Sequence, residues 1–237
     1  MEKWVLFDLD GTLLPMDQEV FTKAYFKGLA GKLMPYGYDA DTLVKTIWSG
    51  TAAMIKNDGS RTNEEAFWEV FYSVFGEGAR EHFPLFEDFY KKDFDKVKVS
   101  CGFNENAKKT VDALKKKGYK IGLATNPIFP AIATEARTRW AGFSPEDFEF
   151  YTTYENSHFC KPNPSYYKEI VEKHGINAGE CFMVGNDAIE DVAAQKLGIK
   201  VFLLTDCLIN KNGADLSGIP HGSFKELSEF FALSDVI

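Results

Sequence analysis

Residues 4–12 read Trp4-Val5-Leu6-Phe7-Asp8-Leu9-Asp10-Gly11-Thr12. Four apolar residues in succession stop at two aspartates, a glycine and a threonine. That is the pattern of a strand buried on both faces that runs out into a polar loop. The same pattern returns downstream. An apolar run over 119–124 halts at Thr125-Asn126-Pro127, and one over 181–184 runs into Gly185-Asn186-Asp187. Shorter strands are expected at 148–152 and 200–204. Helical text lies between them: about 104–117, ending at Gly118 as a C′ glycine; a helix through Ile132, Ala136 and Trp140; 164–174, followed by Gly175; and a last helix to about Leu197. Strands separated by helices of about 10–15 residues predict a parallel sheet with crossover helices, an α/β layered fold.

One block breaks the alternation. Residues 17–97 carry helix-period text, with Phe67, Phe71 and Phe75 at i, i+4 and i+8, and Phe83, Phe86, Tyr90 and Phe94 continuing at helical spacing. Breaks near Gly31, Gly37, Gly59 and Gly76–Gly78 divide the block into about four helices. It is too long for a loop, so the expected organisation is a sheet domain over 1–15 and 98–237 with a helical domain, 16–97, inserted in it. The insert's aromatics are expected to be mostly its core. Asp17, Gln18 and Phe21, with Lys45 and Trp48, are the positions expected to face a ligand.

The 237 residues are 45% apolar and 26% charged, enough to bury a core and too apolar for wholesale disorder. Net charge is −8, with no polybasic tract, which argues against nucleic acid as a scaffold partner. No apolar run reaches the roughly 20 residues needed to cross a bilayer, and the first apolar run is too short for a signal peptide. Cys101, Cys160, Cys181 and Cys207 lack metal-type spacing. They are expected to be reduced thiols in a cytoplasmic protein that needs no membrane. Oligomeric state is not encoded in any visible pattern.

In open parallel sheets, ligands bind beyond the carboxyl ends of the strands. Those ends here gather Asp8, Asp10, Thr125, Asn126, Asp187 and Asp191, and Lys161 lies on a connection leading back toward the sheet. Crowded carboxylates either raise a pKa or hold a cation. A set of hard oxygen donors without His or Cys points to Mg²⁺. A cation among carboxylates suits phosphate, with the Thr125 hydroxyl and the Lys161 ammonium as further phosphate-holding groups. An aspartate can then attack phosphorus, and a second acid two residues on can protonate the leaving oxygen and later activate water.

These residues resemble the four ordered motifs of the haloacid dehalogenase superfamily of phosphohydrolases: Asp8-Leu9-Asp10-Gly11-Thr12, Thr125, Lys161, and Gly185-Asn186-Asp187 with Asp191. The resemblance covers about residues 1–15 and 98–237. It implies a Rossmann-like parallel sheet core, and the helical insert resembles the C1-type cap of the phosphoglycolate phosphatase-like branch. It further implies Asp8 as nucleophile, Asp10 as general acid/base, and Thr125, the Asn126 backbone and Lys161 as phosphate-binding groups. Mg²⁺ would be held by the Asp8 carboxylate, the Asp10 main-chain carbonyl and Asp187, with Asp191 supporting its waters or orienting Lys161. The sequence departs from the family where Asn186 stands between Gly185 and Asp187. Either Asp187 serves as ligand at shifted spacing, or Asn186 supplies an amide oxygen at the ordinary one.

The implied activity is Mg²⁺-dependent hydrolysis of a small phosphorylated metabolite through an aspartyl-phosphate. Within the same superfamily, a 2-haloacid dehalogenase would have no use for Asp10, Asp187 and Asp191, and a phosphosugar mutase would differ mainly in cap residues. A non-enzymatic receiver-like phospho-accepting domain would carry its aspartate on a middle strand and be about half this length. His158 and Cys160, close to Lys161, are expected to be loop-packing residues.

Overall fold

Lys3–Phe7 form β1, a strand exposed at Lys3 and buried from Trp4 to Phe7. In the computed structural model, which describes residues 2–233, β1 is flanked on one side by β2 (Tyr119–Leu123) and on the other by β3 (Cys181–Gly185). Beyond β3 lie β4 (Lys200–Leu204) and the two-residue β5 (His221–Gly222), giving the order β2-β1-β3-β4-β5 with every pair parallel. Val5 pairs with Ile121 and Phe182, and Phe7 with Leu123 and Val184. Leu123 and Val184 share the wholly buried state of Val5 and Phe7. This is the environment that a continuous apolar run, rather than an alternating one, is built for.

The helices between β1 and β2 are α1 (Gln18–Leu33), α2 (Ala40–Ile55), α3 (Asn63–Phe75), α4 (Phe83–Lys92) and α5 (Glu105–Lys116). Three of the expected glycine breaks are real turns: Gly37, Gly59 and Gly76 all take positive φ, where a side chain would be strained. Gly31 breaks nothing and lies inside α1. Thr62 caps α3 and Glu65 reaches back to the Thr62 amide, a capping box that fixes where the helix begins. The aromatic stripe of α3 then packs inward. Phe71 is wholly buried, with its ring 5.2 Å from those of Trp68 and Phe86 and 6.1 Å from that of Tyr38. Burying a phenylalanine is worth about 2–3 kcal/mol.

The block enters and leaves the sheet layer side by side. Met16 forms an antiparallel bridge with Cys101, and the Gly102 amide donates to the Pro15 carbonyl at 2.7 Å. A 3₁₀ segment, Phe94–Ser100, closes the block and packs on α1 and on α6 (Ala131–Trp140). Phe94 meets Trp140 at 4.9 Å and Phe21 at 6.4 Å. One continuous apolar cluster therefore joins the helical block to one face of the sheet. A second cluster covers the other face with α7 (Pro164–His174).

Two expectations differ from the structure. The segment 148–152 runs beside β2 and exchanges hydrogen bonds with Ile121 and Leu123, but it amounts to a single bridge at Tyr151 rather than a strand. Phe150 fills the space over Gly122, where a Cβ would lie 2.6 Å from its ring. The helix expected up to Leu197 is a 3₁₀ segment, Val192–Leu197. Six residues between the anchored Asp191 and Gly198 leave room for little over one turn, the length at which 3₁₀ geometry is common.

Candidate active site

The turn after β1 is tight. The Gly11 amide donates to the Leu14 carbonyl and the Leu14 amide to the Leu9 carbonyl, both at 2.8 Å, and Gly11 takes φ +85°. A Cβ there would meet the Asn186 side chain at 2.3 Å, so glycine is required both for the backbone and for the close approach of the loop after β3. The loop after β2 is pinned from the opposite side. The hydroxyls of Thr152 and Tyr166 donate to the Thr125 carbonyl at 2.6 and 2.9 Å.

Lys161 lies between two carboxylates. Its ammonium donates to Asp8 Oδ1 at 2.9 Å and to Asp191 Oδ1 at 2.7 Å, and the side chain is 1% exposed. Asp191 Oδ2 accepts the amides of Asn186 and Asp187, both at 2.9 Å. This carboxylate folds back over Gly185, where a Cβ would lie 2.0 Å from it. Thr12 donates to Asn186 Oδ1 at 3.0 Å and lies 3.3 Å from Asp8 Oδ2. Five sequence-expected residues, Asp8, Thr12, Lys161, Asn186 and Asp191, thus form one connected and buried network.

Asp187 stands differently. Its Oδ1 accepts the amides of Ile189 and Glu190 at 2.7 and 2.9 Å, the geometry of a cap on the following turn. Of the two neighbours, Asn186 presents its side-chain oxygen within the Asp8–Thr12 cluster. Among the described residues, no three Asp, Glu, His or Cys side chains converge as a metal cage.

Two further residues at the site were not expected from the sequence. Arg137, wholly buried in α6, pairs with Asp10 Oδ2 and lies 4.3 Å over the Phe129 ring. Nothing in the run Arg137-Thr138-Arg139 marks one arginine as buried and the other as exposed. Glu190 accepts Asn126 Nδ2 at 3.0 Å. Its place beside Asp191 in the fourth motif was the available hint.

Burial dominates the electrostatics. It pushes the Asp8 carboxyl up to about 7 against the neighbouring Lys161 ammonium, with Asp191 and Asp10 adding repulsion. Burial also raises Asp10 against Arg137, and it takes Glu190 to about 7. Lys161 stays well above its ordinary value because Asp191 and Asp8 outweigh its own burial. Asp8, Asp10, Glu190 and Asp191 bring four carboxylates against the two cations Lys161 and Arg137. Two buried oxygens at the site, Asp10 Oδ1 and Asn126 Oδ1, have no hydrogen-bond partner. Crowded carboxylates whose charged forms burial disfavours, and oxygen acceptors left without a partner among the described residues, are the features a hydrated divalent cation would satisfy.

His158 and Cys160 have ordinary partners. His158 Nδ1 lies 2.6 Å from Glu169 Oε1, and Cys160 is buried against the Asn63 amide.

The network at the head of β1, on a parallel sheet with a helical block inserted after the first strand, defines a class, and the sequence comparison agrees. The chain belongs to the haloacid dehalogenase-like hydrolases, whose family pattern matches residues 2–198. Its relatives are distant. The pyrophosphatase PpaX of Bacillus cereus (strain AH820) is 24% identical over 196 residues, spanning 83% of this chain and 80% of PpaX. Among solved structures, a 2-haloacid dehalogenase from Pseudomonas syringae pv. Tomato DC3000 superposes with a TM-score of 0.64 at 20% identity, covering 98% of this chain and 99% of that one. The HAD-hydrolase YfnB of Bacillus subtilis, solved with magnesium bound, superposes with a TM-score of 0.57 at 18% identity over 98% and 99% of the two chains. The fold is therefore the α/β, Rossmann-like sheet with a helical insert, and the protein is a hydrolase. The receiver-type alternative falls. Among the described residues, no helix is long and apolar enough to cross a membrane.

Proposed function

We propose that this hydrolase is a Mg²⁺-dependent phosphatase acting on a small-molecule phosphomonoester through a phosphorylated Asp8. The observation that carries this reading is the buried Asp8–Lys161–Asp191 arrangement at the head of β1, with Asp10 two residues on. An Asp8 oxygen attacks phosphorus in line and the ester P–O bond breaks. Asp10 gives its proton to the departing alkoxide, then takes one from the water that hydrolyses the aspartyl-phosphate. Lys161 holds Asp8 in place and offsets its charge, while the Thr125 hydroxyl and the Asn126 amide hold phosphoryl oxygens. The helical block over 16–97 acts as a cap that excludes water from the sheet domain, 1–15 and 98–237.

The residues suited to hold the metal are the Asp8 carboxylate, the Asp10 main-chain carbonyl and the Asn186 amide oxygen, which lies in the Asp8–Thr12 cluster, in preference to Asp187, whose carboxylate folds onto the following turn as its cap. When bound, Mg²⁺ supplies positive charge against the phosphoryl oxygens. Magnesium in YfnB supports the metal, and the pyrophosphatase name of PpaX supports phosphoryl chemistry.

The test is phosphate release from para-nitrophenyl phosphate, with Mg²⁺ and with EDTA. Turnover is expected to require Mg²⁺ and to vanish in Asp8→Asn. No release from folded, Mg²⁺-supplied protein would sink the proposal. In urea unfolding, Asp187→Ala should lower stability by about 1 kcal/mol through its lost cap. The Mg²⁺ concentration for half-activity should move far less than the roughly tenfold or more expected for a lost ligand. A shift of that larger size would return the ligand role to Asp187.

A further inference from the structure

A cavity of about 690 Å³ lies between the helical block and the strand ends, opening on Asp8 and Asp10. Its volume is that of a site for a drug-sized molecule. Phe21, Tyr25, Phe67, Trp68, Phe86 and Phe129 line it, so much of its wall beyond the carboxylates is aromatic.

Apart from Asp8, Asp10, Asp187 and Asp191, the charged residues lining the cavity are again nearly all of one sign. Glu64, Glu87, Glu135, Glu155 and Glu190 line the cavity, against a single basic residue, Lys91. Lys91 is 57% exposed and already lies 3.5 Å from Glu87. Glu135 accepts the Tyr151 hydroxyl at 2.8 Å, and Glu155 accepts the Ala131 amide at the start of α6. Glu64 has no ion-pair partner among the described residues. The two buried cations, Lys161 and Arg137, stand behind Asp8 and Asp10 and do not line the cavity.

A leaving group with its own carboxylate or second phosphate would have to shed water against this acidic wall with no free cation to receive it. A small hydrophilic leaving group would leave most of the apolar surface unfilled. A large apolar one would cover it, at the gain that apolar burial brings.

We propose, on the basis of the phosphatase reading above, that the substrate is a phosphomonoester of a bulky apolar alcohol or phenol whose leaving group bears no second anionic group. This sets the chain apart from an enzyme of pyrophosphate or of phosphorylated acids.

The test compares kcat/KM for 2-naphthyl phosphate, phenyl phosphate, 4-carboxyphenyl phosphate, phosphoglycolate and pyrophosphate. The larger ring of 2-naphthyl phosphate is expected to gain about tenfold over phenyl phosphate. The 4-carboxyl group is expected to lose about tenfold relative to phenyl. Glu64→Gln should narrow the gap between phenyl and 4-carboxyphenyl phosphate. Phosphoglycolate or pyrophosphate turned over as well as 2-naphthyl phosphate would overturn the substrate assignment and leave the phosphatase reading standing. Binding is read separately by calorimetric titration of the wild-type protein in EDTA with 2-naphthol, 2-naphthyl phosphate and phosphoglycolate. Preference for the naphthyl compounds supports the assignment even if no phosphate is released. Absence of naphthyl binding, or tighter binding of phosphoglycolate, overturns it.

Discussion

Arg137 sits in the middle of α6 with its guanidinium wholly enclosed, held by Asp10 on one side and stacked on Phe129 on the other. Its Nε also donates to the Ala133 carbonyl. A buried ion pair of this kind ties two distant points of the chain together, here 127 residues apart. Removing the arginine leaves Asp10, 22% exposed at the cavity, without its cation, so Arg137→Met should cost about 1–3 kcal/mol in urea unfolding. Asp10→Asn in the same background should recover part of that loss, giving a coupling of about 1 kcal/mol or more. Strict additivity of the two changes would mean that the pair does not act as a unit. At this scale the sequence was legible where chemistry repeats a pattern. Asp8, Lys161 and Asp191 meet, as their places at strand ends imply. It was illegible where a side chain's fate depends on what folds over it, as with Arg137, or where two neighbours compete for one role, as with Asn186 and Asp187. Only the backbone trace after β3 separates that pair, turning one side chain toward Thr12 and the other onto its own helix start. Asp17 and Lys45 show the same dependence: Asp17 caps α1, and Lys45 is exposed, while Gln18, Phe21 and Trp48 do line the cavity.

α5 is held to the loop after α6 by one carboxylate. Asp147 accepts from Lys108 at 3.2 Å and Lys115 at 3.1 Å, and from the Ser144 amide at 3.0 Å. Burial pushes its carboxyl up, but the Ser144 amide and the two ammoniums outweigh it and hold it below its ordinary 3.8. A carboxylate depressed by folding stabilises at pH above its unfolded value and loses that contribution as pH falls through its lower folded value. Asp147→Asn should therefore lower Tm at neutral pH, and the gap from wild type should close as the pH is taken below 3.8. A gap that persists unchanged into acid would assign the effect to packing instead. Elements with strong periodicity were the readable ones. Pro164–His174 and Lys200–Leu204 lie where their patterns put them, because an N-cap, a C′ glycine or a fully buried apolar run marks each end. The 148–152 segment and the turn over Val192–Leu197 were not, since two or three tertiary hydrogen bonds decide between strand and loop, or between α and 3₁₀.

At the scale of the whole molecule, Phe94 and Trp140 carry one apolar cluster from the face of the sheet up into the helical block. The helical block after the first strand was visible in the change of period at residue 17, but this continuity was not, because it is made by aromatics far apart in sequence. A shared core predicts shared cooperativity. Urea unfolding followed by far-UV circular dichroism and by tryptophan emission, with Trp68 in the block and Trp140 below it, should give coincident transitions. Two resolved transitions would show the block melting by itself. The paired crossing at Pro15–Met16 and Cys101–Gly102 has a different consequence, which concerns how such a chain could arise. Because the two ends of the helical block leave the sheet layer as neighbours, the sheet sees the same pair of attachment points whether some eighty residues or only a few lie between them. Lengthening such a loop costs only about 0.6 kcal/mol per doubling. The crossing is thus a graft union: chain can be added or removed beyond it at little cost in closure entropy, whereas the Phe94–Trp140 contact obliges any exchanged block to fit the core beneath it.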